Sequence, residues 1–196
     1  MKDLKKLIIL AIAVLFLGSV PTIAQNRDFL TDEEIEIVRD AQEIDRRIDV
    51  LIRAADRRFA LLNIDVAFEK AGKKESDAWG PAPKGERIEL LFDIKRLLQK
   101  AIDDIDNISE RPDSAVLPDP DDKKSKKPKT LAELFPIAVR SLSKAATRFK
   151  PGLQKELDAT QDQKERGVIL ASIEFCDQIL EAVNKLAAEI QKKSKN

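Results

Sequence analysis

Asp45-Arg46-Arg47 and Asp56-Arg57-Arg58 stand 11 residues apart. On a helix that spacing is close to three turns, so the two groups fall on one face. Arg46, Arg53 and Arg57 then lie opposite the apolar positions, where their guanidinium groups are suited to an anionic partner such as a phosphate-rich glycan, a lipid head group or another envelope component. The same residues also read as a solvated face with Glu43–Arg47 and Asp49–Arg53 pairs at i,i+4. Trp79, the only Trp, precedes Gly80-Pro81-Ala82-Pro83-Lys84-Gly85. A large ring there serves as an interface anchor or as a plug on the end of the fold. Arg46, Arg53, Arg57 and Trp79 make the candidate interaction surface.

Other chemistry is poorly supported. The chain has no His, which removes Ser-His-Asp and Cys-His catalysis, His-ligated zinc or haem, and the Glu-x-x-His pairs of di-iron bundles. Asp103, Asp104 and Asp106, or Asp119, Asp121 and Asp122, supply carboxylates without the ligand spacing, turn Gly and closing Glu of a calcium loop. On a helix Asp103 and Asp104 point about 100° apart. The 80–85 segment lacks the phosphate-loop pattern. Catalytic, cofactor and metal residues are expected to be none, and the chain reads as non-enzymatic. Cys176 is the only cysteine, so no intramolecular disulfide is available. It sits on an apolar stripe beside Phe175 and is expected to be a buried, inert thiol; a reactive or dimer-forming thiol is the alternative in an oxidising compartment.

The elements that must position these residues are helical. Charged residues are 36% of the 196 and the hydrophobic set 43%, with six Gly and no Tyr. Ala, Leu, Ile, Glu, Lys and Arg dominate, as salt-bridged helices require. Met1-Lys2-Asp3-Leu4-Lys5-Lys6, the apolar run Leu7–Leu17, the breakers Gly18, Ser19 and Pro21, and Thr22-Ile23-Ala24 have the layout of a secretory signal peptide over 1–24, cut between Ala24 and Gln25. The alternative is an uncleaved inner-membrane anchor, since Leu7–Ala24 carries no charge and approaches the length of a span. Cleavage removes three Lys and one Asp from 35 basic and 35 acidic residues, leaving 32 and 34. That balance opposes nucleic-acid binding, which needs excess Lys and Arg.

Leu30-Thr31-Asp32-Glu33-Glu34 is a helix start with Thr31 as cap and Glu34 reaching back to the Thr31 amide. Apolar residues from Ile37 to Val66 recur at steps of three and four, which predicts one helix over 32–71, ending at Gly72. Its second half, Phe59 to Phe68, is apolar on several sides and is expected to be central. Further helices are predicted over 86–109 and 131–158, the latter capped by Thr130 and bent at Pro136 and Pro151-Gly152. A fourth covers 161–192, with a weaker capping box at Thr160-Gln161-Asp162-Gln163. Residues 111–129 form a flexible linker with five Lys at 123–129, and the last residues fray. Four single-striped helices bury their stripes on one another, so residues 25–196 are expected to be one all-α domain, a bundle of four amphipathic helices.

The five residues 30–34 are similar to the Leu-Thr-x-x-Gln element of helical periplasmic stress chaperones, with Glu34 where that element has Gln. No function is carried over from them. The expected role is a non-enzymatic, exported module, periplasmic or extracellular, that binds another protein or supports the envelope. A lipid- or membrane-surface-associated protein is the alternative, with Phe59, Phe68, Phe92, Phe135 and Phe149 as its apolar bulk.

Overall fold

Thr31 begins the first helix, as its residue type predicts. Its Oγ1 accepts the Glu34 amide at 3.2 Å, and Glu34 Oε2 accepts the Thr31 amide at 3.0 Å, so two donors that a helix start leaves open are satisfied. The computed structural model describes residues 27–67, 77–110 and 130–193, with side chains to Val183. Among the described residues the fold is all-helical and has no strand: α1 (Asp32–Asp40), α2 (Ile44–Leu61), a single 3-10 turn (Asp77–Trp79), α3 (Arg87–Ser109), α4 (Leu131–Ala159) and α5 (Gln163–Lys193). The signal peptide or anchor over 1–24, the linker at 111–129 and the end of the tail lie outside the described residues. No helix among the described residues is long and apolar enough to cross a membrane.

In place of the helix expected over 32–71, the described residues form two helices and a non-helical strap, residues 62–67, while residues 68–71 lie outside the described residues. The chain turns at Ala41–Glu43, where Ala41 adopts φ −76°, ψ 77° and its carbonyl accepts Arg47 Nε at 3.0 Å. A straight helix would hold Glu34 and Arg58 about 36 Å apart, at 1.5 Å per residue. The turn folds α1 back along α2 and brings them into contact. The apolar stripe keeps its phase across the turn, so periodicity alone does not reveal it.

α2 then stops at Leu61, about two turns before the position of Phe68. Asn63 takes the left-handed conformation, φ 55°. The Ile64 amide donates to the Phe59 carbonyl at 3.0 Å and the Asn63 amide to the Ala60 carbonyl at 3.1 Å. This is a Schellman cap with Asn in the position that Gly usually fills. Phe59, Ile64 and Val66 are buried as expected, but Leu61 is exposed, so this segment is not buried all round.

α2 lies against α3 and α4, and α5 lies against the same two, while α3 and α4 touch sparsely across the diagonal. Long-range ion pairs fix the directions. Arg58 near the end of α2 lies 3.6 Å from Asp93 near the start of α3, so these helices are antiparallel. Arg87 at the start of α3 reaches Glu156 near the end of α4 and Glu165 near the start of α5. Arg148 of α4 grips Asp56 of α2 through two bonds of 2.5 and 2.6 Å. Phe59 and Phe149 meet at the centre with ring centroids 4.7 Å apart.

α4 continues through both prolines. Gly152 is where the strap crosses it: a Cβ there would stand 2.9 Å from the Asp65 carbonyl oxygen and 3.0 Å from the Ile64 and Val66 side chains. Gly152→Val is expected to lower stability by about 1–3 kcal/mol through this overpacking, read as a lower urea midpoint at unchanged slope.

Candidate functional site

The candidate surface residues are dispersed. Arg46 is exposed, with its Nε 3.6 Å from Glu43. Arg53 is exposed on the same face two turns further along α2 and also has a partner. Arg57 turns inward instead. Its Nη1 donates to Glu34 at 2.7 Å, its Nη2 donates to the Pro81 carbonyl at 2.6 Å, and its guanidinium stands 5.6 Å from the centroid of Trp79. Arg57 and Trp79 are thus brought together, half-buried, as a seam between α2 and the 77–81 segment, and Trp79 packs against the hydrophobic core.

That seam leads into a buried charge cluster. Arg58 is 1% exposed and Glu34 0%. Arg58 Nη1 donates to Glu34 Oε1 at 2.5 Å and to the Ala54 carbonyl at 3.0 Å; Nη2 donates to Glu34 Oε2 and to the Phe29 carbonyl, both at 2.7 Å. With Arg57 and the Thr31 amide, Glu34 receives a donor on every lone-pair side. Arg27 donates to Asp93 at 2.6 Å and to the Lys84 carbonyl. Burial pushes the Asp93 carboxyl above its ordinary range, against the pull of Arg27 and Arg58. Arg58 Nε stands 3.6 Å from Asp93 without a hydrogen bond, while both Arg58 Nη atoms and both Glu34 oxygens are bonded within the fold, so the cluster fastens residues 27–40 to the body. The reach of Glu34 to its own cap was legible in the sequence; its pairing with Arg58, 24 residues on, was not.

The Asp residues considered for calcium do not converge. Asp103 accepts Gln99 Nε2 at 2.8 Å, Asp104 pairs with Lys100, and no group of three metal-ligating side chains forms among the described residues. Asp119, Asp121 and Asp122 lie outside them.

Cys176 is fully buried on α5. Desolvation, with a smaller push from Asp177 and an opposing pull from Lys150, raises its thiol from the ordinary 9.0 to about 12. A thiol whose folded pKa is raised contributes stability at lower pH and loses that contribution as pH rises between the two values. Over that alkaline window the wild type is expected to lose about 1.4 kcal/mol per pH unit relative to Cys176→Ala. Paired urea titrations check this, and alkylation in native buffer should be negligible until the chain unfolds.

A feature open to a ligand lies at the other end of α3 from the buried charge cluster. A cleft of about 300 Å³ opens where α3 ends, lined by Ile102 and Ile105 of α3, Phe135 and Val139 of α4, and Ile179 and Val183 of α5. Its polar edge is Asp106, Ser109 and Gln178. A second apolar hollow, at Ile108, Leu131 and Pro136, shares Ser109 and Phe135 with it. The shape follows from the sequence: α3 ends at Ser109, α4 opens at Leu131 with Phe135 and Ile137 turned outward or half out, and α5 carries its stripe past both. Val183 was legible only as a member of an apolar stripe, and Val139 and Ile179 lie beside the predicted stripes rather than on them. Which stripe residues would remain uncovered depends on how the helix ends are staggered, and local periodicity carries no such information. Comparison with known protein families, with curated proteins and with solved structures finds no match for this chain.

Proposed function

We propose that the chain is an exported, non-enzymatic binding module of the cell envelope. In this reading its signal peptide is removed before Gln25, its four long amphipathic helices form a bundle, and a protein partner docks on the cleft at the end of α3. The single observation that carries the reading is the shape and lining of that cleft: concave, overwhelmingly aliphatic and aromatic, with a few polar groups at one edge, as binding sites are. It is large enough for two or three apolar side chains of a partner. Among the described residues the carboxylate of Glu34 and the guanidinium groups of Arg57 and Arg58 are engaged inside the fold, whereas the apolar lining of the cleft is open to a partner.

A photo-activatable cross-linker placed at Val139 in the full chain, expressed in its native cells, tests this. Protein adducts are expected from position 139 and not from position 92, an exposed aromatic on α3 away from the cleft. No adduct under several growth conditions sinks the reading. Fractionation with N-terminal sequencing tests the export half, with Gln25 as the expected first residue.

A further inference from the structure

The charge at the cleft narrows the partner. Asp103, Asp106 and Glu110 recur at i, i+3 and i+7, which places them on one face of α3, and all three are exposed. Asp106 lies on the cleft wall itself, and its carboxylate makes no ion pair among the described residues. The last turn of α3 holds no basic residue, so these carboxylates stand at the partially negative end of their own helix, where a cation is favoured and an anion is not. On the α5 side Glu181 stands next to Ala182 of the lining. On α4 the flanking charges are Glu133 and Arg140, of opposite sign.

An apolar trough with an acidic edge fits a ligand that is apolar on one side and cationic on its flank. We infer that the cleft takes a basic amphipathic helix of a protein partner, its apolar residues at i, i+3 and i+7 seated on Ile105, Phe135, Val139 and Val183, and its Lys or Arg beside Asp103, Asp106 and Glu110. The lining of α3 runs from Ile102 to Ser109, about 10 Å at 1.5 Å per residue, which matches two turns of a docked helix. The acidic edge repels a carboxylate or phosphate head, so the same lining is poorly matched to an anionic lipid. The inference rests on the cleft being the docking surface and deepens that reading.

The test uses the purified full chain and three short peptides with one apolar face and polar faces of Lys, Gln or Glu, followed by fluorescence anisotropy. The Lys peptide is expected to bind tightest and the Glu peptide weakest, with the preference falling as salt is added. The triple variant Asp103→Asn, Asp106→Asn, Glu110→Gln is expected to weaken the Lys peptide by roughly three- to thirtyfold, from three partly screened pairs, and to leave the Gln peptide unchanged. These positions are exposed, so the fold survives and circular dichroism confirms it. Equal binding of the three peptides, an unchanged Lys peptide on the triple variant, or tighter binding to phosphatidylglycerol vesicles than to the Lys peptide each overturns the inference. The first two outcomes, together with protein adducts at position 139, remove the charge preference alone and leave the docking surface standing; absent adducts remove the surface itself.

Discussion

Phe149→Ala is expected to lower stability by about 3–5 kcal/mol. Phe149 is fully buried and stacks on Phe59 at 4.7 Å, tilted 33°, and the Arg148 guanidinium lies 4.5 Å from its ring centroid. The site cannot collapse easily. α2 and α4 are held at this level by the Arg148–Asp56 pair, and the strap crosses at Gly152 one turn away. Truncation therefore leaves a cavity between fixed walls rather than a repacked core, which places the loss toward the upper end of that range. A domain of this size is stable by about 5–15 kcal/mol, so the variant retains little margin. Guanidinium titrations give the loss directly; a loss below about 1 kcal/mol would mean that the two helices close over the gap.

Glu34→Ala is expected to cost about 3–5 kcal/mol as well, for a different reason. It strips a bidentate partner from Arg58, which cannot reach water, and a second bond from Arg57. What is lost is mainly the compensation of a buried charge rather than the attraction between the pair. The comparison that separates these is Glu34→Leu with Arg58→Met. Removing both charges together leaves no unpaired charge at the fully buried position 58, and the half-buried Arg57 keeps its bond to the Pro81 carbonyl, so the double variant should be markedly more stable than Glu34→Ala, although the Phe29 and Ala54 carbonyls lose a donor. A double variant as unstable as the single one would show that the network's attraction, rather than the orphaned charge, dominates.

The helical class and most helix bounds follow from local residue chemistry. Thr31 and Thr130 mark starts because their side chains and the following Glu satisfy open amides. α3 and α4 begin and end within a residue of their periodic segments. The start of α5 moved to Gln163 because Asp162 Oδ1, rather than Thr160, accepts the amides of Lys164 and Glu165, at 2.8 and 3.0 Å. The break at residues 41–43 was hidden because no Gly or Pro marks it and the stripe continues in phase. It is set by the long-range pairing of Glu34 with Arg58. Asn63 was a readable signal for the end of α2, since Asn tolerates the left-handed conformation. A neighbouring run of apolar residues concealed it. The inward turn of Arg57 has the same origin as the break: its partners, Glu34, Trp79 and the Pro81 carbonyl, come from three separate segments.

Arg27 ties the entering chain to Lys84 and Asp93 beside the first turns of α3, whereas the cleft opens where that helix finishes. From Asp93 to Ser109 at the far edge of the cleft is 16 residues of α3, about 24 Å at 1.5 Å each. Were the apolar stretch ahead of Arg27 retained in a bilayer, the proposed docking cleft would stand at the end of α3 remote from the point where the chain leaves the lipid. Were that stretch removed, the same proposed docking cleft would be carried with no fixed heading.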